Sequence, residues 1–382
     1  MPDLTKRVCA EDAGKTVGHV LKYDFHISAG MLKKLKAGCL ISVNGAFART
    51  NQLLAEGDTV LAALRSVPES TESVPPDGTP ISILYEDDAL IALNKPAGII
   101  VHPSTTQAKG TVANGLAEYY RAKGLAAKIH PVSRLDRETT GVILFAKDGH
   151  TKQLMASAMK RHEYEKEYIA IACGAPCPPR GAIELPIGRA PGSIMLRRVD
   201  ASGKWAKTYY EVVAASGRWS LVKLFPVTGR THQLRVHMAA MGCPLLADGL
   251  YGPGGPLPAP PPGILGAGAP CGEANTAAPC NMASPATPCD RPSLATTSGV
   301  PNPAAPCGVA SPAAPPNSPA RDASAGDPAD GPAPSCPAMQ RHALHAWRVS
   351  FAHPYSNEQI TIKAPPPQDF LRAAAQLLWL LW

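Results

Sequence analysis

The sequence has few aromatic residues and no long apolar run. Phe, Trp and Tyr make up 5% of the 382 residues, although the hydrophobic share is 45%. The strongest apolar stretch, residues 377–382, is far shorter than the roughly 20 residues that a membrane-spanning helix needs. Because no apolar segment follows the charged residues at the start, we also expect no secretory signal. These absences predict a cytoplasmic protein without a membrane anchor.

Cysteines in metal-binding pairs are also missing. The chain has 10 cysteines, but no two follow a Cys-x-x-Cys spacing, and no second pair accompanies Cys173 and Cys177. Structural metal sites usually need regularly spaced ligands, so we expect reduced thiols and no bound metal. The net charge of +7 favours a polyanionic partner but does not identify it.

Proline, in contrast, is abundant. The chain has 41 prolines, and most of the excess falls between residues 253 and 340, among Ala, Gly, Ser and Thr. A segment with so few large apolar residues cannot bury enough surface to offset the entropy lost on ordering. We therefore expect a long disordered insert at 253–340. Strand-like patterns resume after it, so the insert interrupts one domain rather than separating two.

The sequence pattern of residues 1–65 predicts a small α+β domain. Ser28 can cap a helix that carries Lys33 and Lys34, and an Asn-Gly dipeptide after the next strand predicts a hairpin. This arrangement resembles the S4-type RNA-binding domain. The resemblance implies that Lys33 and Lys34 face RNA phosphates; the alternative is an exposed basic helix face without a ligand.

A second domain is predicted at 81–382, after a Ser-, Pro- and Glu-rich linker at 66–80. Its apolar patterns alternate as in strands joined by hairpins, and several amphipathic helices lie between them. The fold class is therefore α+β, with a mixed but mainly antiparallel sheet. One helix is predicted to begin after Thr231 as its N-cap and to end at Gly242, with Leu234, Met238 and Met241 on one apolar face.

One carboxylate of this domain stands between two cations. Asp136 lies between Arg134 and Arg137, and a Glu-Thr-Thr-Gly turn and a short apolar run follow. A carboxylate between cations tends to stay ionised, and it can act as a nucleophile or as an electrostatic partner. Taken alone, the segment could equally be a solvated charge cluster before a strand.

Five segments together resemble the RluA-type pseudouridine synthases, in that family's order and spacing apart from the insert. These segments are 84–103, 134–141, 165–168, 227–237 and 341–346. The resemblance implies a pseudouridine synthase catalytic domain that isomerises uridine in RNA. That reaction breaks the bond between N1 and the ribose and rejoins the uracil through C5. It requires no cofactor.

The resemblance also implies roles for individual residues. It makes Asp136 the catalytic carboxylate, pairs it with Arg235 and places Tyr168 against the uracil. Arg134 resembles the residue that fills the space left by a flipped nucleotide. Whether Asp136 adds to the ribose, adds to the base or removes a ribose proton stays open. Without the resemblance, Tyr168 would be read as an ordinary strand tyrosine.

Four further residues are predicted to contact the RNA substrate. They are Lys95, Lys166, Arg230 and His232. The three cations could equally lie at solvated strand ends. His232 and His237 do not share a helix face, so hydrogen bonding is favoured over metal binding. The family usually has His where this chain has Ser133, which leaves RNA positioning and substrate choice open.

The sequence favours ribosomal RNA over transfer RNA as the substrate, because an S4-like domain precedes the catalytic one. We expect the protein to act as a monomer. Two other functions remain open: a non-catalytic RNA-binding or ribosome-assembly factor, and a nucleic-acid N-glycosylase. The glycosylase would release free uracil, whereas a pseudouridine synthase would retain it.

Overall fold

The computed structural model describes residues 3–67, 74–125, 127–216, 218–253, 255–256 and 339–379. Most of the predicted insert at 253–340 therefore lies outside the described residues. Within the described residues, no helix is both long enough and apolar enough to cross a membrane.

The first part of the chain forms a four-stranded antiparallel sheet with two helices. The strands lie in the order β1-β4-β2-β3, and buried side chains between Val8 and Val67 form one apolar cluster. Ser28 caps the second helix as predicted, because its hydroxyl accepts a hydrogen bond from the Met31 N–H at 3.2 Å. The elements are β1 (Leu4–Arg7), α1 (Val17–His19), α2 (Ala29–Ala37), β2 (Ile41–Val43), β3 (Ala46–Phe47) and β4 (Thr59–Ala62).

A ten-stranded mixed sheet organises the rest of the described chain. In chain order, the elements of this part begin with β5 (Ile83–Glu86), β6 (Leu90–Lys95), α3 (Val112–Ala122), β7 (His130–Pro131), β8 (Thr140–Ala146), α4 (Gly149–Lys160) and β9 (Tyr164–Cys173). The remaining elements are β10 (Arg180–Glu184), β11 (Ile187–Arg189), β12 (Arg197–Val199), β13 (Lys207–Ser216), β14 (Trp219–Pro226), α5 (Gln233–Ala240), β15 (Leu344–Ala352), β16 (Gln359–Lys363) and α6 (Gln368–Trp379). The strands β11 and β12 form a separate hairpin.

The large sheet runs in the order β10-β13-β14-β9-β15-β8-β6-β5, with β16 beside β15 and β7 beside β8. Among the described residues its pairings are antiparallel, except that β15 runs parallel to β8. The predicted α+β class with a mainly antiparallel mixed sheet is thus confirmed. Strand β15, which follows the predicted insert, lies at the centre of this sheet.

The parallel contact between β8 and β15 is unusually close. Thr140 pairs with His345, and Gly141 pairs with Ala346. His345 Nε2 lies 3.0 Å from the Ala364 carbonyl, which can only accept, so Nε2 donates and Nδ1 accepts the Thr140 hydroxyl at 2.8 Å. Gly141 has φ +110°, and a Cβ there would lie 2.2 Å from the Ala346 carbonyl oxygen. Only glycine fits at this crossing.

Candidate active site

Asp136 lies in the turn that leads from β7 into β8. The Thr139 N–H donates to the Asp136 carbonyl at 3.2 Å, which closes the turn, and Leu135 is buried in the apolar cluster beneath α3. The Asp136 carboxylate itself is 27% exposed. The turn therefore anchors one side chain in the core and leaves the next one open to a substrate.

Arg235 reaches Asp136 from α5. Leu234, Met238 and Met241 share one apolar face of this segment, as predicted, and pack against the sheet. Arg235 points elsewhere: its Nη1 lies 3.5 Å from Asp136 Oδ2. Burial opposes a charged Arg235, but the Asp248 carboxylate, and then Asp136, raise the pKa of Arg235 overall. The predicted pairing of Asp136 with Arg235 is present in the structure.

His232 approaches Asp136 from the residue before α5. The predicted N-cap at Thr231 is wrong: His232 occupies the cap position, with a left-handed φ of 57° and no side-chain capping bond. This backbone turn places His232 Nε2 4.0 Å from Asp136 Oδ1. Burial lowers the pKa of His232, although the Asp136 charge opposes the shift, so the ring is neutral near pH 7. Gly242 follows the helix in a left-handed conformation, as predicted.

Tyr168 and Lys166 extend from one face of β9, two residues apart. Tyr168 is partly buried, and burial, followed by the Asp136 charge, raises the pKa of its phenol. Burial lowers the pKa of Lys166 to about 8. The Lys166 Nζ lies 3.9 Å from where a Cβ on Gly229 would be, beside the loop that leads into α5. Both side chains therefore face the region between β9 and α5.

The other predicted RNA contacts are exposed. Arg134 and Arg230 are exposed, and Arg230 Nε donates to the Trp205 carbonyl at 3.0 Å. Lys33 and Lys34 are exposed on α2. These four residues present positive charge at the surface, where a polyanion could reach it.

Lys95 does not fit its prediction as a substrate contact. The residue is 1% exposed, and its Nζ donates to the carbonyls of Pro96, Ile99 and Arg137 at 2.7, 2.8 and 2.7 Å. An ammonium has three N–H groups, so none remains for a phosphate. Burial lowers the pKa of Lys95 to about 7, against the opposing charges of Glu138 and then Asp136. Lys95 instead ties the Asp136 turn to the loop after β6.

Replacing Lys95 with Met should lower the free energy of unfolding by about 2–4 kcal/mol, because three carbonyls lose their shared donor. Urea unfolding measures this loss, and Lys152→Met, at an exposed position on α4, serves as the control and should change stability by under about 0.5 kcal/mol. The dependence of RNA affinity on salt should stay the same. If the plot of log RNA-binding constant against log salt concentration became shallower by about 1 while stability stayed unaltered, Lys95 would be a phosphate contact after all.

Two residues behind the site, Asp248 and Tyr251, were not predicted from the sequence. Asp248 accepts hydrogen bonds from Arg235 Nε and Nη2, both at 2.7 Å, and the Tyr251 hydroxyl lies 2.7 Å from His232 Nδ1. Both follow α5 in a segment that resembles an ordinary turn. A polar pair three residues apart after the helix was the only local signal. Their contacts to Arg235 and His232 become visible only in three dimensions.

Ser133, where the family usually has His, is partly buried beside the Tyr164 hydroxyl.

The described residues contain no group of three His, Cys, Asp or Glu side chains that could hold a metal. His237 instead contacts the Thr208 hydroxyl at 3.0 Å and the Leu185 carbonyl at 3.1 Å. Both His232 and His237 thus take part in hydrogen bonds, and the expectation that neither binds a metal stays a prediction.

Several known proteins are similar to this chain, and each of those reported below is described as a pseudouridine or pseudouridylate synthase. Residues 89–240 match the family model described as RNA pseudouridylate synthase. The uncharacterized RNA pseudouridine synthase YhcT of Bacillus subtilis (strain 168) is 37% identical over 246 residues, which are 64% of this chain and 81% of that protein. Ribosomal large subunit pseudouridine synthase D of Escherichia coli O157:H7 is 32% identical over 261 residues, or 68% of this chain and 78% of that protein.

A solved structure described as Human RNA Pseudouridylate Synthase Domain Containing 4 aligns with a TM-score of 0.47 and 20% identity, over 78% of this chain and 93% of that one.

The family model begins at residue 89, so the S4-type resemblance of residues 1–65 stays a prediction. Both bacterial relatives are more than 30% identical to this chain, which covers about four fifths of the length of each. The chain belongs to the RluA-type RNA pseudouridine synthases, isomerases that convert uridine in RNA to pseudouridine.

Proposed function

We propose that this protein converts uridines of large-subunit ribosomal RNA to pseudouridine, with Asp136 as the catalytic carboxylate. One observation carries the catalytic part: the Asp136 carboxylate is partly exposed and lies 3.5 Å from Arg235. Support for the RNA class comes from the relative in Escherichia coli O157:H7, whose name specifies the large ribosomal subunit. We also propose that the protein acts in the cytoplasm, as a monomer.

The proposed reaction balances within one uridine. The bond from N1 to C1′ breaks, the uracil turns, and a bond forms between C5 and C1′; C5 loses a proton and N1 gains one. Cleavage of such a bond leaves positive character at the sugar, which a nearby carboxylate stabilises, as in glycosidases. Asp136 suits this task because Arg235 orients one of its oxygens while the carboxylate stays accessible.

Tyr168 suits a place against the uracil. Its raised pKa keeps the phenol protonated near neutral pH. A protonated ring can stack on a base, and base stacking on an aromatic side chain is worth about 1–3 kcal/mol. This favours the stacking role over removal of the C5 proton by a phenolate.

The four exposed cations and the half-buried Lys166 suit contacts to the RNA around the target. Arg134 stands two residues from Asp136, so its guanidinium could occupy the gap left by the flipped nucleotide. Lys166 and Arg230 adjoin the loop before α5, where they could bind phosphates of the same strand. Lys33 and Lys34 would add contacts to more distant phosphates. Together they would make RNA affinity strongly dependent on salt.

Pseudouridine maps of cellular RNA, with and without the gene, test the proposal. We expect at least one large-subunit ribosomal uridine to lose its modification without the gene, and the purified protein to restore it on unmodified ribosomal RNA. Loss confined to transfer RNA would contradict the proposed substrate. Unaltered maps together with RNA binding would indicate a non-catalytic factor, and release of free uracil would indicate a glycosylase.

A further inference from the structure

The Arg235 guanidinium is shared unequally between two carboxylates. Asp248, whose side chain is 0% exposed, binds it through two parallel hydrogen bonds of 2.7 Å, whereas Asp136 stands 3.5 Å from the remaining Nη1. Two parallel bonds fix the plane of a guanidinium as well as its position. The direction in which Arg235 presents Nη1 to Asp136 is thus set by Asp248.

Asp248 is itself held by the turn that follows it. Its Oδ1 accepts the backbone N–H groups of Leu250 and Tyr251 at 3.0 and 3.1 Å. The Tyr251 ring lies against the Arg235 guanidinium, with the guanidinium carbon 4.9 Å from the ring centre. One short segment therefore contacts Arg235 both at its edge and at its face.

The same segment sets the hydrogen positions on His232. The Arg197 backbone N–H donates to the Tyr251 hydroxyl oxygen at 3.0 Å. The Tyr251 hydrogen is then free to donate to His232 Nδ1, 2.7 Å away. A neutral imidazole that accepts at Nδ1 carries its hydrogen on Nε2. That N–H is on the nitrogen that stands 4.0 Å from Asp136 Oδ1.

We propose that residues 248–251 form a positioning element for the catalytic carboxylate: Asp248 orients Arg235, and Tyr251 orients His232, so that both present N–H groups towards Asp136. The inference rests on the proposed role of Asp136. Neither Asp248 nor Tyr251 touches Asp136, so both act through their partners. A displacement of about 1 Å in such a site can cost roughly 100-fold in rate.

The Asp248→Asn substitution tests whether Asp248 acts by orienting Arg235. It is made in the full-length protein, both alone and together with Arg235→Lys. Asn keeps an oxygen for the two backbone N–H groups but replaces the other acceptor with an amide that repels the guanidinium. In the otherwise unaltered protein kcat should fall roughly 10- to 100-fold, while KM for RNA changes less than about threefold. In the Arg235→Lys background the further loss should be under about threefold, because a residue acting through Arg235 has little left to orient.

The Tyr251→Phe substitution tests whether Tyr251 acts by orienting His232. It also keeps the experiment decisive if the Asp248→Asn protein does not fold. It removes one oxygen and leaves the ring against Arg235. We expect kcat to fall about 3- to 10-fold with the RNA dissociation constant unchanged, and the loss to vanish in a His232→Gln background. Glu167→Gln is the matched control, since it removes another buried carboxylate paired with an arginine, Arg348, from the face of β9 opposite Tyr168. It should retain the rate.

Steady-state formation of pseudouridine over a range of RNA concentrations gives kcat and KM, and filter binding gives the dissociation constants. Rates within twofold of the unaltered protein would overturn the inference. So would equal losses in both backgrounds, which would mark a general structural role. If the unaltered protein forms no pseudouridine, the proposed function and this inference both fail. If the unaltered protein is active but the variants give the contrary results above, only this inference fails.

Discussion

Replacing Asp136 with Asn is expected to lower the rate of pseudouridine formation by roughly 10⁴-fold or more, with little effect on folding. The substitution removes the charge that the proposed mechanism needs at the glycosidic bond. Folding should tolerate it, because the carboxylate is 27% exposed and its partner Arg235 keeps the two hydrogen bonds to Asp248. RNA affinity should stay within about threefold, because the exposed cations remain.

Release of tritium from RNA labelled at uridine C5 measures this rate. Glu138→Gln is a suitable control, because it neutralises another carboxylate of the same turn and should keep most of the activity. Thermal unfolding of both variants checks that the fold survives. A normal rate in Asp136→Asn would refute the assignment of the catalytic carboxylate, whatever the RNA substrate proves to be.

Gly141→Ala is expected to lower the free energy of unfolding by more than about 4 kcal/mol, a large part of the roughly 5–15 kcal/mol of a typical domain. The new Cβ would lie 2.2 Å from the Ala346 carbonyl oxygen and 2.7 Å from its carbon. Backbone atoms of a central strand cannot move aside cheaply, so the parallel contact of β8 with β15 would have to open. Calorimetry should show a fall in Tm of about 10 °C or no cooperative transition.

Gly124→Ala separates this steric clash from simple backbone strain. Gly124 follows α3 with φ +64°, also in the left-handed region, but a Cβ there meets nothing within 4 Å. Its cost should be about 1 kcal/mol. Equal destabilisation by the two substitutions would contradict the view that close approach to Ala346 dominates at Gly141.

Features encoded by neighbouring residues could be predicted from the sequence. The Ser28 cap, the apolar face of α5 and the strand hairpins all depend on local spacing. The N-cap of α5 could not be predicted in the same way. Thr231 is a favourable capping residue by type, but the chain turns at His232 instead, and that turn brings His232 towards Asp136. Tertiary contacts override a local preference at this position.

Features that depend on distant residues could be predicted only in part. The pairing of Asp136 with Arg235 followed from the family resemblance. The prediction for Lys95 was wrong, because a lysine at a strand end looks exposed until three carbonyls are found around its Nζ. Asp248 was missed for a similar reason, since its partner Arg235 lies 13 residues earlier and nothing local links the two.

The position of β15 has a consequence for how the protein is made. Thr140 and His345 meet at the centre of the sheet although they are 205 positions apart. Doubling the length of a connecting loop costs only about 0.6 kcal/mol, so the long connection weighs little on final stability. During synthesis, however, the facing edges of β8 and β9 stay unpaired until β15 leaves the ribosome. Such open edges aggregate readily, so a nascent chain of this protein should depend on chaperones until its last central strand arrives.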